Sequence, residues 1–553
     1  MKRQLLFAAA LLSFTSFSAA LAQNTPNLRL LKSVDPAPAV GNPIRYSEVT
    51  GSGSLAAIAG WGFNGSARNA YLYDVSIPTS PQLLAVVPSD GSVYDLQIHG
   101  RYLYLAAQNQ GYIDVFDIIN PSAPVRVNRF QPNNPAISPH TFWVSGKELY
   151  IADNFASGIV VLDITDKKNF VRKGVINNGF GRSHDNTVIR GKLYAAFIFT
   201  PAGLWLADVK NPTSPRNIAT VFYPGAGTHN SWPTEDERYV LTTDEVGQTA
   251  HNIKIWDAQP AGGLNLVATY ETRPGATVHN VYVRGRYAYM SYYCDGIRII
   301  DINDPTKPVE VAAYDLDGAT PCGGFASTWG MFPYSKYIYA SDMSLGLHIF
   351  EFDQHPPANL TGNVRDAVTG AAIAGAYVYF PEEYATTRSE ASGGYEIPWF
   401  KNGEVRVAAD ALGYVADTLL TTLSANAATQ LDFFLQKAST SAEENEQPAS
   451  QPPQDLYLLP SYPNPYSAAL LSGTNGAIQI AYRLPAQAAV RVDLTNMLGQ
   501  RVMRLVDRVA NAGEHTVAWN GKDERGRTVS AGVYFINLYS GGRVFQQKLT
   551  LVK

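Results

Sequence analysis

The sequence predicts an all-β protein, a seven-bladed β-propeller followed by two small β-sandwiches. Three observations carry that prediction. First, a short apolar run that closes on an acid returns seven times: Tyr71-Leu72-Tyr73-Asp74, Ile113-Asp114-Val115-Phe116-Asp117, Ile159-Val160-Val161-Leu162-Asp163, Leu204-Trp205-Leu206-Ala207-Asp208, Ile253-Lys254-Ile255-Trp256-Asp257, Ile297-Arg298-Ile299-Ile300-Asp301 and Leu347-His348-Ile349-Phe350-Glu351. The closing acids lie 43, 46, 45, 49, 44 and 50 residues apart, a period that belongs to propeller blades rather than helical solenoids. Second, 11% aromatic residues with 45 Gly and 34 Pro favour strands and tight turns over helical bundles. Third, 553 residues exceed what one hydrophobic core supports, and the repeat stops after Pro357.

At the N-terminus, Met1-Lys2-Arg3, the apolar stretch from Leu5 to Leu12 and Ala20-Leu21-Ala22 have the three parts of a secretory signal peptide. Residues 1–22 are expected to be removed. The apolar core is short for a membrane anchor, no cysteine stands near the cleavage site for a lipid, and no later segment is apolar enough to span a bilayer. A formal net charge of −4 gives the chain no electrostatic reason to seek nucleic acid or anionic lipid.

The propeller is expected over 23–357. Its unit is clearest in the sixth repeat, where strands at 278–283, 287–292, 297–302 and 309–314 are separated by Arg284-Gly285-Arg286, Asp295-Gly296 and the Pro-containing turn 303–308. Four antiparallel strands joined by short turns make one blade. The first turn recurs as His99-Gly100-Arg101, Ser145-Gly146-Lys147 and Arg190-Gly191-Lys192, where Gly supplies a positive φ. Pro in the third-to-fourth turn, as in Asn120-Pro121 and Asn211-Pro212, ends the ladder because it has no N–H to donate. The closing acids read as turn residues. The first repeat lacks an obvious early strand, so 27–33 is expected to close the ring by pairing with the Leu347 strand.

These blades resemble the LVIVD-repeat propellers of secreted bacterial proteins, including those described as choice-of-anchor B proteins, over roughly 24–357. The resemblance implies the fold and no general catalytic activity.

In a four-stranded blade, the second-to-third-strand loops and the blade-to-blade loops share one rim, the expected place for recognition. Four repeats open on histidine, at Pro139-His140-Thr141, Ser183-His184-Asp185, Thr228-His229-Asn230 and Val278-His279-Asn280. If the repeats superpose, four imidazoles face that rim around the central channel. Tyr94-Asp95 takes the matching place in the second blade, so the histidine ring is incomplete, and His184 is offset by one residue. Asp153, Asp244, Asp295 and Asp342 lie in loops of the same rim.

Imidazoles beside carboxylates bind a transition metal or act as acid and base; alternatively each imidazole hydrogen-bonds a neighbouring blade and fixes its register. The sequence favours the structural role, so no cofactor is expected unless a divalent metal occupies the rim. Cys294 and Cys322 fall in adjacent rim loops, and a disulfide between blades six and seven is expected in an oxidising compartment. Asp315-Leu316-Asp317-Gly318 resembles the start of a calcium loop, but Ala326 stands where the bidentate Glu is needed. The chain has no phosphate loop, dinucleotide fingerprint, zinc-protease helix or nucleophile elbow.

Over 358–437, Leu360 to Asp366, Thr369 to Val378, Gly393-Gly394-Tyr395-Glu396-Ile397 and Gly403-Glu404-Val405-Arg406-Val407 alternate like strands with Gly turns. This segment resembles the carboxypeptidase regulatory-like domain, a prealbumin-like sandwich. The resemblance implies a spacer, with carbohydrate binding as the alternative, and no peptidase activity. Residues 438–455, rich in Ser, Glu, Gln and Pro, read as a flexible linker.

In 456–553, Tyr462-Pro463-Asn464-Pro465, Leu498-Gly499-Gln500, Ala512-Gly513-Glu514-His515, Trp519-Asn520-Gly521 and Gly532-Val533-Tyr534-Phe535 occur in order. They resemble the Ig-like C-terminal sorting domain of the type IX secretion system, close to the Ig-like domain of the flagellar hook-capping protein. That resemblance implies recognition by an outer-membrane translocon and a structural role for His515; an ordinary adhesion domain is the alternative.

The expected product is a monomeric protein secreted to the cell surface, whose propeller binds or scaffolds a surface glycan or protein. The competing expectation is a propeller hydrolase or lyase that acts with rim His and Asp residues on a polysaccharide or small ester.

Overall fold

The computed structural model describes residues 24–552 apart from 38–43, 63–67, 133–135, 155–157, 178, 180, 200, 248–250, 260–262, 317–324, 357–358, 384, 399–402, 425–426, 439–455, 459–460, 462–465, 468–477 and 512. Its regular structure is almost wholly strand, and no described helix is long and apolar enough to cross a membrane. The chain divides into two units, the first holding nearly all of the chain up to Lys437 and the second the C-terminal module.

Seven four-stranded sheets form the propeller. The sixth blade is built from Val281–Arg284, Tyr287–Ser291, Ile297–Asp301 and Val309–Tyr314, paired antiparallel in that order. Inner strands are buried on both faces because each blade packs against two others: Leu103, Tyr104, Leu105 and Ala106 are all fully enclosed. Outer strands are half-solvated, and Val171–Ile176 alternates between exposed and covered residues.

The ring closes as the sequence suggests. Leu28–Val34 pairs antiparallel with Gly346–Phe352, placing Leu28 opposite Phe352 and Ser33 opposite His348. A strand from the start of the chain therefore completes the last blade and hides its edge. The early strand missing from the first repeat is Tyr46–Ser52, whose Gly51 and Ser52 made it hard to see.

The repeated acids are turn residues. Asp74, Asp117, Asp163, Asp208, Asp257 and Asp301 each accept the backbone N–H two residues on, at 2.8 to 3.1 Å. Such a side-chain bond replaces the partner that the ladder stops providing. Glu351 differs, pairing with Arg29 of the closing strand.

The sandwich has one sheet of Thr386–Arg388, Tyr377–Tyr379, Gly403–Asp410 and Asp417–Leu423. The other is centred on Leu360–Asp366. Leu360, Val364, Val378, Phe380, Val407 and Phe433 fill the space between them.

The sandwich sits on the tight-turn face of the propeller. Ser52 Oγ meets Thr386 Oγ1 at 3.1 Å, Arg101 pairs with Asp410 at 3.2 Å and Arg190 with Glu383 at 3.1 Å. Gly100, at φ +56°, lies under the Tyr379 ring, where a Cβ would come within 3.1 Å of it. That face of the propeller is therefore occupied by the sandwich.

In the second unit, a five-stranded sheet with Gly532–Ser540 and Ala488–Asn496 at its centre packs against a three-stranded one. Ile480, Val492, Trp519, Ile536, Leu538 and Leu549 form its core.

Candidate functional site

The four predicted histidines come together at the channel mouth. Ring centroids are 4.3 Å apart for His140 and His184, 4.4 Å for His184 and His229, and 4.0 Å for His229 and His279. The one-residue offset of His184 does not displace it. In the third and fifth blades a register shift after Pro139 and after Thr228 lets the ladder skip the histidine, and such a bulge re-aims a side chain.

The sequence shows an incomplete histidine ring, with Tyr94 in the matching place of the second blade. The circle is completed by other aromatics: His279 meets Trp329 at 4.4 Å, Trp329 meets Trp61 at 4.9 Å, Trp61 meets Tyr94 at 5.6 Å and Tyr94 meets His140 at 5.6 Å. Each blade thus supplies one ring. Trp329 stands before the seventh blade's first turn much as His279 does in the sixth, a signal available in the sequence. Trp61 directly follows the second strand of its blade, Leu55–Gly60, and no repeat offset points to it.

One residue along from six of the rings stand Asp95, Thr141, Asp185, Asn230, Asn280 and Gly330, and with Glu48 of the first blade's Tyr46–Ser52 strand they make a second, mostly polar tier. Asn230 Nδ2 donates to Asp185 Oδ2 at 2.6 Å, Asn280 Nδ2 to Glu48 Oε2 at 3.0 Å, and the Phe142 N–H to Asp95 Oδ2 at 2.8 Å. Gly330 has no side chain for a reason, since a Cβ there would come within 2.1 Å of Glu48 Oε1. Both tiers border a cavity of about 50 Å³, among them Glu48, Asp95, Asp185, His229, His279 and Trp329, with room for one or a few waters or an ion.

Burial sets the protonation of both tiers. It pushes the Asp95 carboxyl up to about 7 and that of Asp185 to about 6, and it holds Glu48 well above the carboxylate range. It pushes His140 down to about 4 and His229 to about 3, and holds His184 and His279 well below the usual imidazole range. At neutral pH the histidines are uncharged, the form in which imidazole binds metals.

The predicted acids lie elsewhere. Asp153 accepts the Ser138 N–H at 3.0 Å; Asp244 takes the Tyr223 hydroxyl at 2.7 Å and pairs with Lys254. Asp295 accepts from Arg273 at 2.6 Å and from the Thr272 hydroxyl. Asp342 accepts the Ser327 hydroxyl and the Ser344 N–H, both at 2.8 Å. All four brace rim loops, and none joins the histidines.

The acid that does is Glu245, next to Asp244 and so on the opposite face of the chain. Its Oε2 is 3.8 Å from His229 Nε2 and its Oε1 is 3.9 Å from His279 Nε2. The Tyr293 hydroxyl donates to Oε1 at 2.5 Å, and burial raises the Glu245 pKa.

Cys294 is buried on this rim with Sγ 3.7 Å from Ala326 O, and Cys322 lies outside the described residues. Of the sorting motif, Tyr462, Pro463, Asn464 and Pro465 also lie outside them. Gly499 and Gly513 take positive φ at turns, and Gly532 opens the strand that carries Tyr534. Trp519 is buried with its indole N–H on Lys522 O at 2.7 Å, the Tyr534 hydroxyl bonds Ser530 O at 2.7 Å, and His515 bonds Asn511 O at 2.8 Å.

Comparison with known families follows the same division. Three of the blades match the LVIVD repeat. The matched segments are 90–131, 140–177 and 275–316, in the second, third and sixth blades. The carboxypeptidase regulatory-like domain matches 359–436 and the FlgD Ig-like domain matches 467–542.

No curated protein matches the chain. Among solved structures it is similar to a chain of the mitotic checkpoint complex, at 12% identity and a TM-score of 0.43 over 63% of this chain and 98% of that one. It is similar to the RRP9 WD40 repeats at 10% identity and 0.45, over 60% and 98% respectively. A functionally unknown protein from Desulfotomaculum acetoxidans shares 11% identity at 0.40, over 50% and 87%. The LVIVD blades carry the histidines at 140 and 279, while those at 184 and 229 lie in blades outside the matched segments.

Proposed function

We propose that this protein is a bacterial cell-surface binding or scaffolding protein whose LVIVD propeller engages its partner through the loop rim. One observation carries the reading: the sandwich covers the tight-turn face, while the opposite rim presents exposed aromatic side chains. Phe199, in a second-to-third-strand loop, is 57% exposed, and Phe325, in a blade-to-blade loop, is 51% exposed against Tyr293. Solvated aromatics on irregular loops held by a rigid scaffold are the usual raw material of an interface.

Export and attachment are part of the proposal. The N-terminal segment acts as a signal peptide, and the C-terminal Ig-like module acts as a type IX sorting domain read by the translocon. Cys294 and Cys322 form a disulfide that ties two rim loops; Ala326, beside Cys294 Sγ, stands four residues after Cys322. Alkylation mapping before and after reduction tests this pairing.

The full chain, applied to glycan and matrix-protein arrays, is expected to retain a ligand, and Phe199→Ser with Phe325→Ser to lose it. Equal retention by the variant would remove the rim from the reading. Turnover of a polysaccharide or small ester that disappears in His229→Ala would favour a hydrolase or lyase instead. Removal of 456–553 is expected to hold the protein in the periplasm, and surface display of the shortened chain would reject the sorting role.

A further inference from the structure

The histidine circle is hard to explain as a device for fixing register. His184 Nδ1, His229 Nδ1 and His279 Nε2 are enclosed and meet no hydrogen-bond partner, and His229 and His279 are only 4% and 2% exposed. A buried nitrogen without a partner is destabilising, and native interiors leave few such groups. Three within one stack of rings call for a shared occupant.

The arrangement around them suits a cation. His279 Nδ1 lies 2.7 Å from Trp329 O. A carbonyl only accepts, so Nδ1 carries the proton and the bare lone pair is on Nε2, which faces Glu245. Fixing the tautomer of a ligating imidazole through its other nitrogen is what supporting hydrogen bonds do in metal sites. Glu245 is held in turn by the Tyr293 hydroxyl. One ligand atom each from His184, His229 and Glu245 lies within 4.8 Å of the others. Bonds of about 2.0–2.2 Å to a central ion close that spread with small side-chain rotations.

We propose that His184, His229, His279 and Glu245 bind a divalent transition metal, with zinc the ion that three imidazoles and a carboxylate fit best. Such a donor set favours zinc or copper over calcium or magnesium, which prefer all-oxygen ligands. The ion draws together three consecutive rings of the circle and the Glu245 carboxylate, from three blades, and supplies a partner for the bare lone pair of His279. The site does not depend on what the outer rim recognises, so either proposal can fail alone.

The test uses the full chain, stripped with chelator and titrated with zinc chloride near neutral pH by calorimetry, with cobalt(II) absorption as a second readout. One zinc per chain is expected, with visible bands of a low-coordinate cobalt site. Glu245→Gln is expected to weaken binding by roughly 10- to 100-fold, and His279→Ala to weaken it further. Because truncating a stacked ring endangers folding, near-UV circular dichroism checks each variant, and Glu245→Gln, which keeps the shape, decides where His279→Ala unfolds. His348→Ala, in the seventh blade and away from the circle, is expected to bind as the unaltered chain does. Absence of zinc heat and of cobalt bands in the unaltered chain overturns the proposal. So does affinity that is unchanged in folded Glu245→Gln and His279→Ala.

Discussion

Trp61 and Trp329, from the first and last blades, meet with ring centroids 4.9 Å apart and close the circle of seven aromatic rings at the channel mouth. Trp329 also touches His279 at 4.4 Å and Tyr293 at 6.2 Å, so it joins three blades. Trp329→Ala is expected to lower stability by about 2 kcal/mol, below the usual range for a fully buried tryptophan because the ring is only partly enclosed. Urea unfolding checks this. Phe199→Ala, an exposed rim aromatic, is expected to stay within about 0.5 kcal/mol of the parent.

The buried acids of the polar tier predict a pH dependence of the opposite sign to ordinary acid unfolding. Asp95 is held at about 7, mainly by burial with a contribution from Asp185, against a usual value of 3.8. A carboxyl whose pKa is raised by folding keeps its proton longer in the native state. Its stabilising effect is complete below the unfolded value and is lost as pH rises through the folded one. Asp95→Asn is therefore expected to gain stability over the parent between about pH 4 and 7, by roughly 2–4 kcal/mol at the upper end. Denaturant melts of both proteins across that range measure it, and a constant difference would contradict it.

On the third strands of the first two blades, two acids have different worth. Asp114, fully enclosed, is gripped by Arg129 through Nε and Nη2, both at 2.7 Å, while Arg129 stacks over Tyr112 at 3.8 Å. Asp74, at the end of the corresponding strand of the first blade, only accepts the Ser76 N–H at 2.8 Å. Asp114→Ala removes two charge-assisted bonds from the guanidinium, which keeps its pairing with Asp90, and is expected to cost about 2 kcal/mol; Asp74→Ala loses one turn bond, about 1 kcal/mol. Comparing the two unfolding midpoints tests the ranking.

What could be read from the sequence follows what repeats. The closing acids, the Gly turns and the apolar third strands recur at fixed offsets, so the blade count and ring closure could be read directly. His140, His184, His229 and His279 were visible for the same reason. Glu245 was not, because Asp244 beside it is the residue that aligns with Asp153 and Asp342; only strand alternation decides which of the two faces the channel. Trp61 reaches the circle from just past the end of a second strand, outside the repeat's offsets. The polar tier was unreadable for a different reason. Glu48, Asp95 and Asp185 are ordinary acids in sequence, and only convergence of the inner strands makes them buried neighbours.

The contact between propeller and sandwich rests on Tyr379. Its ring lies over Gly100 and meets the edge of His99 at 5.7 Å, with the Arg101–Asp410 and Arg190–Glu383 ion pairs to either side. Both pairs are partly solvated, so each contributes less than about 1 kcal/mol, and most of the docking energy falls to the aromatic contact. Tyr379→Ala is expected to cost about 3 kcal/mol of docking, leaving both folds intact but separable, so that residues 358–437 become sensitive to protease at concentrations the parent resists. Gly100→Ala attacks the same contact from the other side. A methyl group at φ +56° strains the turn by about 1 kcal/mol and presses on the Tyr379 ring, so it should reproduce the protease phenotype in weaker form. Combining the two should then cost less than their sum, because once the ring is gone the methyl has nothing to press against; strict additivity would show that the two residues do not share this contact.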